Sequence, residues 1–324
     1  MNNILTRSGK ISVIFACVLL LVVSASAQNS LRKAIDYDQD GKADFSVFRP
    51  ENNYWYVRGS SGSFIFQQFG SSNTDYQVPG DYDGDGKGDI CVWRDTDGIW
   101  YRLSSQTGTF SATPFGATGD EPIARDYDGD GKSDLAVIRR SNGVMTWYIL
   151  NSQNGAISGT QFGASGTDYS APGDYDGDGK FDLAVQRAGA NPTDQGVFFI
   201  LNSQSGAISS IPWGYSNDLV VPGDYDGDGK TDVAVVREGA SANTGLSWFI
   251  RLSGSNGAQR SVVFGATGSD LNAQNDYDGD GKCDIAVWRD TNGNFYVLNS
   301  QSGAVTATPW GVANDFPVAS FDTH

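Results

Sequence analysis

Six short acidic segments contain the residues of this sequence whose types and spacing are best suited to chemistry. Each follows the pattern Asp-Tyr-Asp-x-Asp-Gly-Lys-x-Asp. Calcium takes about six to eight oxygen ligands. In a nine-residue loop of this kind, the carboxylates at positions 1, 3, 5 and 9 and the backbone carbonyl at position 7 provide such oxygens. Gly at position 6 lets the chain turn sharply around an ion. The pattern therefore predicts six calcium sites.

The predicted ligands comprise four aspartates and one lysine in each segment, with the lysine binding through its backbone carbonyl oxygen. They are Asp36, Asp38, Asp40, Lys42 and Asp44; Asp81, Asp83, Asp85, Lys87 and Asp89; Asp126, Asp128, Asp130, Lys132 and Asp134; Asp174, Asp176, Asp178, Lys180 and Asp182; Asp224, Asp226, Asp228, Lys230 and Asp232; and Asp276, Asp278, Asp280, Lys282 and Asp284.

Two alternatives to these calcium loops can be weighed from the residues. Asp-Gly pairs are common in ordinary hairpin turns, but four carboxylates crowded into each of six loops would repel one another strongly without a cation. An EF-hand needs a bidentate Glu at position 12. That position is Val in every segment, from Val47 in the first to Val287 in the sixth. We therefore expect calcium loops that join two strands.

The net charge of −16 comes mainly from these loops, which contain 24 of the 38 acidic residues. The acidity argues against nucleic acid and anionic membranes as partners. Extracellular calcium loops bind with a Kd of about 10⁻⁴–10⁻³ M. Since several such sites together would stabilise a domain substantially, we expect the ions to be structural.

The acidic segments belong to a repeat of 45–52 residues, and other features recur at matching places in all six units. An Arg ends the strand after each loop, an aromatic pair follows, and then comes an aromatic residue followed by Gly. An Asp stands four or five residues after that Gly. The Arg residues are Arg49, Arg94, Arg139, Arg187, Arg237 and Arg289, and the Asp residues are Asp75, Asp120, Asp168, Asp218, Asp270 and Asp315. We interpret the Arg residues as structural and the Asp residues as turn formers.

Each unit is predicted to form four short strands, named A to D. In the second unit they cover residues 77–82, 89–94, 99–104 and 109–115, with the acidic loop between A and B. Four antiparallel strands repeated in a ring are typical of an all-β, β-propeller fold. We predict one propeller over residues 28–324, with units that start near residues 31, 76, 121, 169, 219 and 271.

The number of blades depends on how the ring closes. A seventh copy of strand A, without its loop, occupies residues 316–322. We expect it to lie beside strand B of the first unit, displacing residues 34–37, so that N- and C-terminal strands together close the ring. Six blades are favoured, and seven are the alternative.

The loops, the Phe-Gly or Trp-Gly steps and the unit length resemble FG-GAP/VCBS repeats, which form the integrin α-subunit propeller and occur in many secreted bacterial proteins. The resemblance covers about residues 31–322. It implies a propeller with calcium in the A–B loops and ligand recognition on the opposite face. Integrin propellers differ in having seven blades and calcium in only some of them, so integrin-like partners do not follow.

The N-terminus has the features of a signal peptide. Arg7 and Lys10 precede an apolar stretch over residues 11–23, and the small residues 25–27 form a cleavage site. We predict cleavage after Ala27 and secretion to the periplasm, cell surface or medium. Lipidation at Cys17 is a weaker alternative, because Cys17 lies in the middle of the apolar stretch.

The sequence favours binding over catalysis. Its single histidine is His324, and no Gly-x-Ser-x-Gly motif occurs. We expect an extracellular binding or adhesion module with a protein or glycan ligand. A lectin is the alternative, and a calcium-dependent polysaccharide lyase or hydrolase a weaker one. The B–C links are longest in units three to five, which suggests a ligand rim over residues 141–144, 189–195 and 239–245, near Tyr215.

Overall fold

The computed structural model describes residue 31 and residues 33–318, and their strands form six four-stranded antiparallel sheets arranged as a β-propeller. Blade 1 contains β1 (Phe45–Arg49), β2 (Tyr54–Arg58), β3 (Phe64–Gln68) and β24 (Phe316–Pro317). Blade 2 contains β4 (Asp75–Gln77), β5 (Ile90–Arg94), β6 (Ile99–Leu103) and β7 (Phe110–Pro114). Blade 3 contains β8 (Glu121–Pro122), β9 (Leu135–Ser141), β10 (Val144–Leu150) and β11 (Ile157–Ala164). The predicted fold class and the preference for six blades are confirmed.

The other three blades repeat this arrangement. Blade 4 contains β12 (Asp168–Ser170), β13 (Leu183–Arg187), β14 (Gln195–Leu201) and β15 (Ile208–Tyr215). Blade 5 contains β16 (Leu219–Val220), β17 (Val233–Arg237), β18 (Gly245–Arg251) and β19 (Gln259–Ala266). Blade 6 contains β20 (Asp270–Asn272), β21 (Ile285–Arg289), β22 (Asn294–Leu298) and β23 (Val305–Pro309). Within each blade the strands follow the order A, B, C, D predicted from the sequence.

Blade 1 takes its A strand from both ends of the described chain. Strand β24 pairs with β1, and the Val318 N–H donates to the Ser46 carbonyl at 2.9 Å. The expected displacement of residues 34–37 is wrong for Ile35, whose carbonyl accepts the Asp44 N–H at 2.8 Å. Gly80 accepts the Asp89 N–H in the same way in blade 2. The C-terminal strand therefore replaces only the part of strand A that precedes Ile35.

Strand A is also shorter than predicted, and it begins earlier. In blade 2 the prediction was residues 77–82, whereas β4 covers Asp75–Gln77. After Val78 only an isolated bridge between Gly80 and Asp89 continues the pairing, and equivalent bridges occur in blades 3 to 6. Strands B, C and D of this blade begin and end within one residue of their predicted bounds.

The core lies between neighbouring blades. The B strands are buried on both faces, and the C strands alternate between buried and partly buried residues. One aromatic side chain from each C strand is at most 2 % exposed: Trp55, Trp100, Trp147, Phe198, Trp248 and Phe295. In four blades the indole N–H of this Trp donates to the carbonyl of the aromatic residue before the repeated Gly, at 2.8–3.1 Å.

The repeated Gly itself is required by two features of the structure. At Gly163 the backbone has φ +107°, a conformation that L side chains rarely adopt. A Cβ there would lie 2.8 Å from Met145 Sδ and 3.2 Å from Val185 Cγ1 in the next blade. The absence of a side chain at this Gly therefore allows one blade to approach the next closely.

Candidate metal centres and the opposite face

Each acidic loop is folded around its own carboxylates. In blade 2, the two oxygens of Asp81 accept the N–H groups of Gly84 at 2.7 Å and Gly86 at 3.0 Å. Asp85 accepts the Lys87 N–H at 2.9 Å. The sharp turn predicted at position 6 is present, with φ +88° at Gly86. The lysine lies in the same loop, and its carbonyl remains a predicted ligand.

The last aspartate of each loop connects the loop to the C–D hairpin of the same blade. One oxygen of Asp89 accepts the Tyr82 N–H at 2.8 Å, and the other accepts the Ser105 N–H at 2.6 Å. The equivalent serines donate in the same way in all six blades: Ser60, Ser105, Ser152, Ser203, Ser253 and Ser300. Sequence reasoning missed this half of the site, although Ser recurs there in every unit.

The predicted ligands converge in groups of three. Carboxylate oxygens from loop positions 1, 3 and 5 lie within 4.8 Å of one another in blades 1 and 2. In blades 3, 4 and 5 the groups come from positions 1, 3 and 9. These loops therefore bring together three of their four predicted carboxylates, an arrangement that could hold a metal ion.

Two observations show that the loops suit a cation. At position 3 of two loops, Asp38 Oδ1 and Asp226 Oδ1 are buried without a hydrogen-bond partner. Burial also raises the pKa of the aspartates at positions 1 and 9 in blades 1 to 5 and of Asp284 in blade 6, despite the backbone N–H groups that lower it. The pKa is about 7 for Asp44, Asp126 and Asp232. It is about 6 for Asp81, Asp134, Asp174, Asp182, Asp224 and Asp284. Dehydrated carboxylates at positions 1 and 9, with a free oxygen at position 3, are a donor set that fits a hard cation.

The six loops are connected to one another in a closed ring of backbone hydrogen bonds. The residue at position 8 of each loop donates its N–H to the carbonyl of the first aspartate in the preceding blade, at 2.6–2.9 Å. The donors are Ala43, Gly88, Ser133, Phe181, Thr231 and Cys283. Because the acceptor residue is also a predicted metal ligand, the position of each site depends on its neighbour.

The repeated Arg and Asp residues form pairs on the face away from the loops. In blade 2, Arg94 Nε and Nη2 donate to the two oxygens of Asp75 at 2.7 and 2.9 Å. The same bidentate pair occurs in all six blades. The aspartate also accepts a turn N–H, from Ser71 in blade 2. The interpretation as turn formers was therefore incomplete, because it missed the long-range partner.

The arginines also lie over aromatic rings. Arg94 Cζ is 4.5 Å from the centre of the Tyr101 ring, and Arg237 Cζ is 3.5 Å from that of Tyr215. The paired carboxylate raises the pKa of Arg94 further above its ordinary value. In blade 1 the pair joins Arg49 to Asp315 and so fixes the closing strand.

A cavity of about 740 Å³ opens on this opposite face, between blades 5, 6 and 1. It is lined by B–C and D–A links, and Leu271 and Phe316 contribute apolar surface, whereas Trp288, which also lines it, is fully buried. Glu51 and Glu238 also line it. Sequence reasoning missed this site, because all of its lining residues except Glu238 come from links without insertions.

The inserted B–C links adopt compact structures of their own. In blade 3 the insertion lengthens a hairpin that turns at Asn142 and Gly143, both with positive φ. In blade 4, Asp194 accepts the Asn191 N–H at 2.9 Å. Tyr215 is 37 % exposed beside this link. The ligand rim at these links stays a prediction.

Comparisons with known proteins agree with this description. Residues 126–185 match the family model for the FG-GAP-like repeat, which confirms for this segment the resemblance inferred from the acidic loops. Among curated proteins, none matches the chain significantly.

Solved propeller structures share the fold. TolB from Acinetobacter baumannii has 14 % identity and a TM-score of 0.58, with 87 % of this chain and 67 % of TolB covered. An Agrocybe aegerita lectin that recognises terminal N-acetylglucosamine has 14 % identity and a TM-score of 0.52, with 86 % and 91 % covered. A mutant of AofleA from Arthrobotrys oligospora has 8 % identity and a TM-score of 0.50, with 90 % of both chains covered. These define the chain as a β-propeller that carries FG-GAP-like repeat sequence.

The signal-peptide residues and His324 lie outside the described part of the chain. Within that part, no helix has the length and apolar character needed to cross a bilayer.

Proposed function

We propose that this protein is a secreted, calcium-stabilised β-propeller that acts as an extracellular binding or adhesion module. The observation that carries the proposal is the cavity on the face opposite the acidic loops. A volume of about 740 Å³ falls within the range of about 300–1,000 Å³ that is usual for ligand sites. In this proposal the metal loops stabilise the ring, and the cavity binds the ligand.

Calcium is proposed as the metal because every predicted side-chain ligand is a carboxylate. Hard oxygen donors suit calcium, whereas zinc sites usually contain His or Cys. The two cysteines of the described chain, Cys91 and Cys283, are free and buried, and their places in the repeat differ. Once bound, calcium would supply the positive charge that the dehydrated carboxylates lack.

The ligand site can be tested by filling the cavity. Ala313 is exposed in the link that lines it, and Thr118 occupies the equivalent position in the link between blades 2 and 3. We expect Ala313→Trp to abolish binding to immobilised extracellular matrix proteins or glycans in about 1 mM calcium, with Thr118→Trp as the matched control that retains it. If the Ala313→Trp variant bound as well as the wild-type protein, this result would contradict the proposed site.

Binding rather than catalysis is the proposed role. The chain contains one histidine, at position 324, and none lies among the described residues. Release of reducing ends or unsaturated products from polysaccharides by the purified protein would instead support the lyase or hydrolase alternative.

Carbohydrate binding is the second candidate, and exposed aromatic rings on blade 1 favour it. Phe64 and Phe66 are 55 % and 59 % exposed, and their ring planes are nearly parallel. Trp310 lies 5.5 Å from Phe64 between ring centres. Since the other five blades have Ala, Gly or Ser in place of Phe66, Phe66→Ala should fold normally. If Phe66→Ala lost binding on a glycan array while Ala313→Trp retained it, the result would favour a lectin.

Export is proposed from the N-terminal sequence. We expect the mature chain to begin at Gln28, which intact-mass measurement on protein expressed with its full leader would check. A mass that instead corresponds to a lipid-modified Cys17 would support the alternative of lipidation.

A further inference from the structure

The charge of the cavity is not balanced by its own residues. Two of the lining carboxylates already have arginine partners, since Asp315 binds Arg49 and Asp270 binds Arg289. Glu51 and Glu238 have neither a hydrogen bond nor an ion pair within the described chain. The cavity therefore contains negative charge that has no internal counter-ion.

A third carboxylate adds to this charge. Asp290 accepts one hydrogen bond, from the Asn314 N–H at 2.7 Å, and no cationic side chain pairs with it in the described residues. Asn314 also lines the cavity, so this bond fixes the Asp290 carboxylate at its edge. The cavity rim thus carries three carboxylates that lack a cationic partner, contributed by blades 1, 5 and 6.

The floor of the cavity is apolar. Leu271 and Trp288 are paired across neighbouring strands, and Phe316 lies on the closing strand with 49 % of its surface exposed. Large apolar side chains left open to solvent often mark binding sites. Glu51 and Glu238 are exposed and Asp290 is partly buried, and all three line the cavity together with this apolar surface, so that one ligand can contact both.

We infer that this cavity binds an organic cation joined to an apolar group. A protonated amine or guanidinium would meet Glu51, Glu238 and Asp290, while the apolar part would cover Leu271 and Phe316. The same chemistry is offered by a small aralkyl ammonium ion and by a basic side chain next to an aromatic one in a peptide. The inference rests on the proposed function and names the class of its ligand.

Two probes of matched size and opposite charge, together with a larger cationic peptide, test the charge requirement. Titration calorimetry of the calcium-loaded protein would use phenethylammonium, the anion phenylacetate, and N-acetyl-Phe-Lys-amide. We expect the two cations to bind and the anion to show no heat, with affinity that falls as salt is raised. Tighter binding by the dipeptide identifies a peptide source, and equal binding identifies a small cation. Binding of phenylacetate, or no binding by either cation, would overturn the inference.

Two charge variants locate the site. The double variant Glu51→Gln, Glu238→Gln should weaken cation binding about tenfold, because each change removes an attractive charge while keeping the shape. Asp97→Asn is the matched control: it removes a carboxylate from the equivalent link of blade 2, where units one and six already have Asn. Equal affinities for the double variant and the control would refute the assignment.

The results also separate this inference from the proposed function. If neither cation binds but Ala313→Trp still abolishes binding to matrix proteins or glycans, the site is correct and the ligand class is wrong. If Ala313→Trp alters neither kind of binding, the cavity is not the ligand site and both proposals fail.

Discussion

Removal of calcium should lower the stability of the propeller, and the loss should depend on pH. At a free calcium concentration ten times Kd, each site taken alone adds about 1.4 kcal/mol, so six sites add roughly 8 kcal/mol before any coupling between loops is counted. For a domain of this size such a loss corresponds to a fall in Tm of roughly 15 °C. Differential scanning calorimetry with calcium and with a chelator would measure it.

The sign of the pH dependence follows from the raised pKa values. In the chelated protein, Asp44, Asp126 and Asp232 have a pKa of about 7, above the value near 3.8 expected in the unfolded chain. These groups therefore stabilise the fold below about pH 4, and this contribution is lost as the pH rises through 7. With chelator, Tm should fall between pH 5 and pH 8. With calcium, which binds the ionised carboxylates, the fall should be offset.

A single-loop variant provides the control for this experiment. Asp226→Asn removes one negative charge at a position where an oxygen is buried without a partner, and it should reduce the calcium-dependent stability by about 1.4 kcal/mol. A chelated protein that melts at the same temperature as the calcium-loaded protein across this pH range would refute the metal sites.

Four further predictions concern the ring. Asp315→Ala should lower stability more than Asp120→Ala in urea or thermal denaturation. Both variants lose a bidentate pair with Arg, but only Asp315→Ala also loosens the closing strand. Equal losses of stability would contradict this role of Asp315. Gly163→Ala should cost about 1–3 kcal/mol in urea denaturation because of its positive φ and the contact with Met145, and a neutral result would be inconsistent with the structure. The ring of hydrogen bonds between loops predicts a Hill coefficient above one in calcium titrations, and a strictly independent isotherm would count against it. A reducing agent should leave Tm unchanged, because the described cysteines are free.

Much of the fold could be predicted from the sequence because the repeat occurs six times in one chain. Alternating burial, Gly at fixed turns and the Asp spacing are local patterns, and they identified the strands and the acidic loops. Prediction failed where a local rule was outweighed by a distant contact. Strand A of blade 2 begins at Asp75 rather than residue 77, and the Asp75 carboxylate also pairs with Arg94, 19 residues away in the chain.

The candidate metal site shows the same difference between local patterns, which were predicted, and long-range contacts, which were not. The aspartates of each loop were predicted together because they are neighbours in the chain, whereas the serine that binds Asp89 lies 16 residues later. Spacing alone also could not show which three carboxylates converge, since the set differs between blades whose loops have the same spacing.

The sequence by itself therefore determined the repeat, the blade type and the donor set of each loop, because these depend on residues within one unit. Only the tertiary structure decided how the ring closes, how the loops are linked and where the cavity lies. These features join residues from different blades, and Glu51 and Glu238 meet at one cavity only because the two ends of the ring are brought together.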